Sequence, residues 1–251
     1  MEILKVDNLI QAYGGLEVLR NCSFSIEAGE KVALIGPNGA GKTTLLNVLN
    51  GIIAPKSGRI YFTGREITRL PTQARTNLGM ARSFQITSLF SPLDILINVL
   101  LALHGTQRSS YDMLRPIDAS QTILNEAQEL LESVGLWQKR KMNCMKISHG
   151  EQRSLELCLA LASKPKILLL DEPSAGLSKE ESEKLGKTMR GSAHKNVALL
   201  LVAHDIDLVF QVAERILVMN QGTIFAEGTA EEIQKNKEVA EIYFGPGVKF
   251  A

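Results

Sequence analysis

The stretch from Gly36 to Thr44 has residue types and a spacing that suit phosphate binding. It reads Gly-Pro-Asn-Gly-Ala-Gly-Lys-Thr-Thr and matches the phosphate-loop pattern G-x-x-x-x-G-K-S/T at every fixed position. Gly39 and Gly41 let the backbone turn sharply and approach phosphate oxygens, because they carry no Cβ. Lys42 offers a positive charge to the outer phosphates, and the Thr43 hydroxyl is placed to ligate Mg²⁺. The predicted nucleotide-binding residues here are Gly36, Asn38, Gly39, Ala40, Gly41, Lys42, Thr43 and Thr44.

The segments on either side of this stretch predict the structure that would position it. The apolar run 31–35 is typical of a buried strand, and the run 44–51 is typical of a helix closed by Gly51. A helix that starts at the loop points its positive dipole end and unpaired N–H groups at the anion. The alternative is an ordinary glycine-rich turn in an α/β protein that binds no nucleotide. The complete pattern between a strand and a helix favours a nucleoside triphosphate site.

A second group of candidate residues follows the apolar run 167–170, where Asp171 and Glu172 are adjacent. A strand that is apolar on both faces is typical of a parallel sheet, and such sheets bind ligands at the carboxyl ends of their strands. Asp171 is then a predicted Mg²⁺ ligand, direct or through water, and Glu172 is free to orient or deprotonate a water molecule. The alternative is a pair of solvated acids at the end of a strand.

Composition narrows the class of protein. The chain has 251 residues, 28 Lys and Arg against 27 Asp and Glu, and 45% hydrophobic residues. The near-neutral charge gives no sign of a nucleic-acid surface. Three scattered cysteines, Cys22, Cys144 and Cys158, fit neither a disulfide framework nor a metal site. No signal peptide and no long apolar run are visible, so we expect a soluble protein whose membrane role, if any, depends on a partner.

The order of elements predicts an α/β protein with two additions. Short strands with a turn at Asp7–Asn8 fill the first 30 residues, which predicts an attached antiparallel sheet. Between about residues 88 and 147 two helical patterns occur, and the first is expected to begin with Ser91 as its N-cap. We expect these helices to form an inserted lobe. Strand and helix patterns then alternate again, and the last strands form a hairpin around residues 220–222.

Further segments resemble the motifs of ATPase subunits of ATP-binding cassette (ABC) transporters, in the family's order and over essentially the whole chain. The segment 148–152, Ser-His-Gly-Glu-Gln, stands where that family has its signature Leu-Ser-Gly-Gly-Gln. Gln85 matches the glutamine switch, His204 the switch histidine, and Tyr13 the aromatic residue that stacks on adenine. The segment 174–178 matches the loop that follows the acidic pair.

The resemblance implies a P-loop NTPase (RecA-like) core with an antiparallel β subdomain and an inserted α-helical subdomain. The whole chain, 1–251, would be one ABC ATPase domain, with the core in 1–86 and 148–251 and the helical subdomain in 87–147. It also implies ATP and Mg²⁺ as cofactors, and a head-to-tail dimer in which each signature segment meets the partner's nucleotide. The implied catalytic residues are Glu172, His204 and Gln85; the implied metal ligands are Thr43, Gln85 and Asp171; the implied residues acting across the dimer are Ser148, Gly150 and Gln152.

Each of these motif residues has a structural alternative. Ser148 and Glu151 form the S-x-x-E pattern of a helix capping box, which is compatible with a binding role. Tyr13 could be an ordinary sheet aromatic, His204 a structural histidine and Gln85 a solvated side chain. Three positions depart from the family pattern: His149 replaces a glycine of the signature, Ala203 stands where many members have Glu, and Ser178 where many have Asp.

Within the family, residues 13–16, 94–99 and 175–177 look like importer ATPases of the branched-chain amino acid type, a group that includes urea and amide importers. The resemblance then implies a second ATPase subunit, transmembrane permease subunits, an indirect link to a solute-binding protein, and no nucleic-acid partner. It places the protein in the cytoplasm, on the inner face of the cell membrane. The alternatives are an exporter or lipid-extraction ATPase, a non-transport ABC protein such as an iron–sulfur assembly ATPase, and a P-loop kinase.

Overall fold

A six-stranded sheet carries the predicted phosphate loop and acidic pair. The computed structural model describes residues 1–83, 89–105, 121–191 and 196–244. The strands of this sheet are β3 (Lys31–Ile35), β6 (Met80–Ser83), β7 (Ile167–Asp171), β8 (Ala198–Val202), β9 (Arg215–Asn220) and β10 (Thr223–Gly228). Their order is β10-β9-β3-β8-β7-β6, and all neighbours are parallel except the predicted hairpin of β9 and β10. All residues of β3 and β8 are buried, as expected for strands covered on both faces.

A second, antiparallel sheet has the order β2-β1-β4-β5. Its strands are β1 (Glu2–Tyr13), β2 (Leu16–Glu27), β4 (Ser57–Phe62) and β5 (Arg65–Glu66). The predicted turn at Asp7–Asn8 is wrong, because β1 continues through it. Asn8 adopts the left-handed region at φ 49°, which asparagine tolerates, and the pairing register shifts between Val6 and Leu9. The residues Asp7 and Asn8, which look like a turn in the sequence, thus form a bulge inside one long strand.

Helices cover both faces of the larger sheet. Helix α1 (Lys42–Leu49) lies in an apolar core with the antiparallel sheet and one face of β3, β7 and β8. The opposite face packs against a second core. The helices beyond α1 in the parts of the chain that the structure describes are α2 (Thr72–Leu78), α3 (Ile95–Gly105), α4 (Gln121–Ser133), α5 (His149–Ala162), α6 (Lys179–Arg190), α7 (Ile206–Val212), α8 (Ala230–Lys235) and α9 (Lys237–Phe244). Helices α5 to α9 all contribute side chains to this second core.

A third apolar cluster joins α3 and α4 to one side of α5. Helix α5 therefore supplies side chains to this cluster and to the core beneath the sheet. Within the described residues, no helix is long and apolar enough to span a lipid bilayer. The predicted boundaries of an inserted helical subdomain at 87 and 147 stay a prediction.

The expected start of the first helix of this lobe is wrong by three residues. Helix α3 begins at Ile95, and the N-cap is Asp94, whose Oδ1 accepts the N–H of Ile97 at 2.8 Å. Asp94 also forms an isolated bridge with Asn143, which fixes an extended backbone at the cap. Ser91 lies in a turn before the helix, and its carbonyl accepts the side-chain amide of Asn143 at 2.9 Å. The long-range bridge favours a helix start at Asp94 over the N-cap at Ser91 that the sequence predicted.

Candidate nucleotide-binding and hydrolysis site

The predicted phosphate loop lies between β3 and α1, and its backbone has the conformation that its glycines allow. Gly39 has φ +81°, and Gly41 has φ +107°. A Cβ on Gly41 would lie 2.8 Å from the carbonyl oxygen of Val18, so a larger residue would not fit. Gly41 is the N-cap of α1, yet no side chain caps this helix and its first turn has no acidic residue. The first N–H groups of α1 are therefore left for an external anion.

Lys42 is buried, and its side chain points back to carbonyl groups of the phosphate loop itself. Its Nζ donates to the carbonyl oxygens of Gly36 at 2.6 Å and Pro37 at 3.1 Å. Burial lowers the pKa of Lys42 below its ordinary value, and the nearby carboxylates of Glu172 and Asp171 act in the opposite direction. A bound phosphate would supply a stronger, charged acceptor for the same ammonium group.

A cavity of about 210 Å³ brings most of the predicted site residues together. It is lined by Val18, Asn38, Gly39, Ala40, Gly41, Lys42, Thr43, Thr44, Glu172 and His204. Cavities of about 570 and 590 Å³ lie elsewhere, but no phosphate-loop residue lines either of them. We therefore place the candidate site by its chemistry and not by its volume.

Glu172 and His204 meet at the edge of this cavity, at the ends of neighbouring strands. His204 Nε2 lies 3.0 Å from Glu172 Oε1, and both side chains are partly exposed. Glu172 has a left-handed backbone, φ +52°, held in place by a hydrogen bond from its N–H to the carbonyl of Val202 at 2.8 Å. A glutamate in this region costs about 1–3 kcal/mol, and such conformations cluster at functional sites. The geometry suits a carboxylate that orients water, with a histidine beside it.

Asp171, the last residue of β7, is half-buried and already has a charged partner. Arg82 donates from Nη2 to Asp171 Oδ2 at 2.8 Å and from Nη1 to Asn47 Oδ1 at 2.7 Å. Asn47 belongs to α1, so this arginine links the acidic pair to the phosphate-loop helix. No sequence pattern predicts this network, because the two contacts of Arg82 span 35 and 89 residues.

The donor set at this site fits a magnesium ion bound together with a nucleotide. The described residues contain no cluster of three or more His, Cys, Asp or Glu side chains that would hold a metal alone. Nucleotide-bound Mg²⁺ takes one or two protein ligands and completes its shell with phosphate oxygens and water. The Thr43 hydroxyl and the Asp171 carboxylate are ligands of that kind. Gln85, the third predicted ligand and a predicted catalytic residue, lies outside the described residues.

The signature segment forms the start of α5. Ser148 is the N-cap, and with Glu151 it makes the complete capping box that the sequence predicted. A second carboxylate also binds here: Glu181 Oε1 accepts the Ser148 hydroxyl at 3.0 Å and the N–H of Gly150 at 3.1 Å. Gln152 donates from its side chain to the carbonyl of Cys144 at 3.3 Å. No signature residue is among those that line the phosphate-loop cavity.

Glu181 is a site neighbour that the sequence reasoning missed. Glu181 also completes the capping box of α6, in which Ser178 is the N-cap and Glu181 is the third helical residue. That S-x-x-E pattern is visible in the sequence. Hydrogen bonds from the N–H groups of Ser178 and Gly150 and from the Ser148 hydroxyl hold its pKa below the ordinary range of a glutamate. The contact with the signature segment, 31 to 33 residues away, has no sequence signal.

Tyr13 and His149 are two further positions that the sequence analysis singled out. Tyr13 ends β1 and is about half exposed (47%), and it is not among the residues that line the phosphate-loop cavity. The neighbouring strand β2 supplies Val18 to that lining. His149, the departure in the signature, lies beside the loop that follows the acidic pair: a Cβ on Gly176 would be 3.2 Å from its Cε1.

Comparison with known proteins agrees with this geometry. The sequence pattern of the family described as ABC transporter matches residues 19–175. The chain belongs to the ABC transporter family. It is 36% identical to the high-affinity branched-chain amino acid transport ATP-binding protein LivG of Salmonella typhimurium, covering 97% of this chain and 98% of that protein. BraF of Pseudomonas aeruginosa, with the same description, is 35% identical over the same shares.

Solved ABC cassettes share the whole fold. An ATP-binding cassette of an ABC transporter in its ADP conformation has a TM-score of 0.84 and 29% identity, covering 98% of this chain and 99% of that one. A dimeric cassette in a post-hydrolysis state with ADP and Pi has a TM-score of 0.74 and 25% identity, covering 91% and 99%. These similarities confirm the predicted fold class. As an ABC ATPase subunit, the protein binds and hydrolyses ATP.

Proposed function

We propose that this protein is the ATP-hydrolysing subunit of an ABC importer for branched-chain amino acids or a similar small polar solute. The observation that carries the proposal is the single cavity in which Lys42, Glu172 and His204 meet, in a chain that matches importer ATPases along its whole length. The solute crosses the membrane through separate permease subunits, after delivery by a solute-binding protein. The ATPase would then act in the cytoplasm, on the inner face of the membrane.

In the proposed mechanism the phosphate loop binds the triphosphate through residues 36–44, and Tyr13 stacks on the adenine. Lys42 leaves the carbonyls of Gly36 and Pro37 and binds the outer phosphates. Glu172 orients and deprotonates the attacking water, while His204 stabilises the transferring phosphoryl group. Thr43, Asp171 and Gln85 would hold Mg²⁺, which when bound neutralises charge on the β- and γ-phosphates.

The proposed catalytic unit is a head-to-tail dimer of this chain, or of this chain with a related one. In it, Ser148, Gly150 and Gln152 of each subunit face the γ-phosphate held by the other. Separation of the signature segment from the phosphate-loop cavity within one chain supports this arrangement. Closing the dimer would complete the ring of donors around the γ-phosphate, and hydrolysis would open it again. The helical lobe with Gln85 would pass that motion to the permease.

Solute transport is tested by reconstitution. The protein is co-expressed with branched-chain amino acid permease subunits and a solute-binding protein from the same genome, and the assembly is placed in lipid vesicles that contain ATP. We expect uptake of labelled leucine, isoleucine or valine, with labelled urea and acetamide as the competing solutes of the same importer group. The Glu172→Gln subunit in the same vesicles is the matched control and should give no uptake. ATP-dependent efflux, or no association with a multi-span subunit, would contradict the importer.

Dimer formation is tested separately, by gel filtration of Glu172→Gln with ATP. Because this variant should bind ATP without cleaving it, we expect it to elute as a dimer with ATP and as a monomer without. Lys42→Met in the same background should remain monomeric. A monomer under all conditions would contradict a homodimer and direct the search to a related partner chain.

A further inference from the structure

Arg82 makes an unusual pair of contacts directly beneath the candidate site. Its side chain is 4% exposed, and that of its partner Asp171 is 13% exposed. One guanidinium nitrogen binds Asp171 Oδ2 at 2.8 Å and the other binds Asn47 Oδ1 at 2.7 Å. These residues belong to β6, β7 and α1, so one planar group ties the acidic strand to the phosphate-loop helix. The guanidinium is rigid, which fixes both partners relative to each other.

The contacts with Arg82 leave Asp171 in a defined orientation. The carboxylate uses Oδ2 for the arginine, and among the described residues no hydrogen bond reaches Oδ1. A carboxylate held by one oxygen presents the other in a fixed direction, which is how outer-shell partners orient metal ligands. Asn47 serves as the second anchor, since it holds the guanidinium from the side of α1.

A purely structural role for Arg82 explains the contacts less well. Two other arginines show what such a role looks like: the buried Arg75 donates from Nε to the carbonyl of Leu70 at 2.9 Å, and the partly exposed Arg215 donates from Nε to Glu30 at 2.7 Å. The Nε of Arg82 is buried without a hydrogen-bond partner among the described residues. An unsatisfied buried donor is costly, so the conformation of Arg82 needs a physical reason beyond the satisfaction of its own hydrogen bonds.

We propose that Arg82 is a positioning residue for the ATP-bound magnesium: it fixes Asp171 against α1 and leaves Oδ1 available as a ligand that would hold the metal directly or through water. This inference rests on the proposed nucleotide site and adds to it a residue whose role no motif predicts. Arg82 is not among the residues that line the phosphate-loop cavity. Its effect is therefore expected on the metal dependence of nucleotide binding and not on nucleotide binding itself.

The test measures the affinity of a fluorescent ATP analogue in EDTA and then at rising Mg²⁺ concentration. For Arg82→Gln we expect the half-saturating Mg²⁺ concentration to rise about 10- to 100-fold, the usual effect of losing an outer-shell partner. The affinity in EDTA should stay within about threefold of the unmodified protein, because the phosphate loop is unchanged. Asn47→Ala should give a smaller rise, and Arg82→Lys an intermediate one, because lysine retains the charge but not the second contact.

Two controls separate positioning from folding. Arg215→Gln removes a partly buried arginine–carboxylate pair away from the site and should leave the half-saturating Mg²⁺ concentration unchanged. In an Asp171→Asn chain, Arg82→Gln should cause no further rise, because its target is already changed. An unchanged or lower half-saturating Mg²⁺ concentration for both Arg82→Gln and Arg82→Lys overturns the inference, and so does an equal loss of affinity in EDTA. If the unmodified protein binds no nucleotide, the proposed function fails instead.

Discussion

Two helix N-termini in this protein are candidate phosphate sites, and they are prepared differently. Helix α1 begins at Gly41 with no side-chain cap and no acidic residue in its first turn. Helix α5 begins at Ser148 with a full capping box, and the carboxylate of Glu181 from the same chain binds its hydroxyl and the N–H of Gly150. The first N-terminus presents its donors to an incoming anion, whereas the second already holds one.

This difference suggests an order of events. The first N–H groups of α1 are preformed donors for ATP in a single subunit, so binding there needs little more than movement of the Lys42 side chain away from the loop carbonyls. In the proposed dimer, the γ-phosphate held by the partner subunit would reach the Ser148 and Gly150 donors only after the Glu181 carboxylate leaves them. A single subunit would then bind ATP, and the γ-phosphate would replace the Glu181 carboxylate as the dimer closes.

The largest expected effect comes from breaking the chemistry on the α1 side. Glu172→Gln should lower the rate of ATP hydrolysis about 10²- to 10⁴-fold, the usual contribution of a positioned base, while ATP still binds. Phosphate release and analogue binding measure the two effects separately. Glu231→Gln, an exposed acid on α8, is the control and should leave both unchanged. Near-normal turnover of Glu172→Gln would remove it from this role.

The next largest effect tests whether Lys42, the first residue of α1, is needed for ATP binding. Lys42→Met should weaken ATP binding about 10- to 100-fold, because a charge-assisted bond to phosphate is lost. Lys31 is a matched control: it is also buried, and its Nζ donates to the carbonyls of Gly29 and Val197. Lys31→Met should reduce thermal stability without changing ATP affinity in the folded protein. Equal losses of affinity for both variants would contradict the assignment.

A smaller effect sharpens the comparison on the α5 side. In a Glu172→Gln background with ATP, Glu181→Gln should lower the protein concentration for half dimerisation about two- to fivefold, because a charge that competes with phosphate is removed. Glu232 is the matched control, since it also closes a capping box, with Thr229 at α8, and its pKa is lowered there too. Glu232→Gln should not change dimerisation. Weaker dimerisation of Glu181→Gln would mean that the carboxylate supports the closed state.

The smallest effect is a pH dependence of stability. Because its donors lower the pKa of Glu181, the ionised carboxylate stabilises the fold at neutral pH, and this stabilisation is lost as pH falls through the folded-state pKa. Glu181→Gln should therefore lower the melting temperature by about 1–3 °C at pH 7. As the pH falls below the folded-state pKa of Glu181, the difference in melting temperature from the unmodified protein should vanish. A difference that stays constant with pH would show that the charge is not involved.

Sequence reasoning predicted the secondary structure correctly where the signal is local, while the binding and catalytic roles of the residues there stay predictions. The phosphate loop, the acidic pair after β7 and the capping box of α5 each depend on residues within a few positions of one another. It failed where the structure depends on a residue distant in sequence. Asn8 was predicted to lie in a turn but lies in a bulge within a paired strand. Ser91 was predicted to be the N-cap of α3, but Asp94 caps that helix. The contacts of Arg82 and Glu181 also depend on pairs that only the folded chain brings together.

The far end of α1 has a consequence for how the site can move. Arg75 of α2 is 1% exposed and donates to the carbonyls of Val48 and Leu49 at the end of α1, and burial lowers its pKa only to about 10, so it stays charged. A cation there complements the negative end of the helix dipole. Any displacement of α1 along its axis would separate these buried groups. We therefore expect the helix to stay fixed through the ATP cycle, so that the rearrangements of turnover fall to the segments around it.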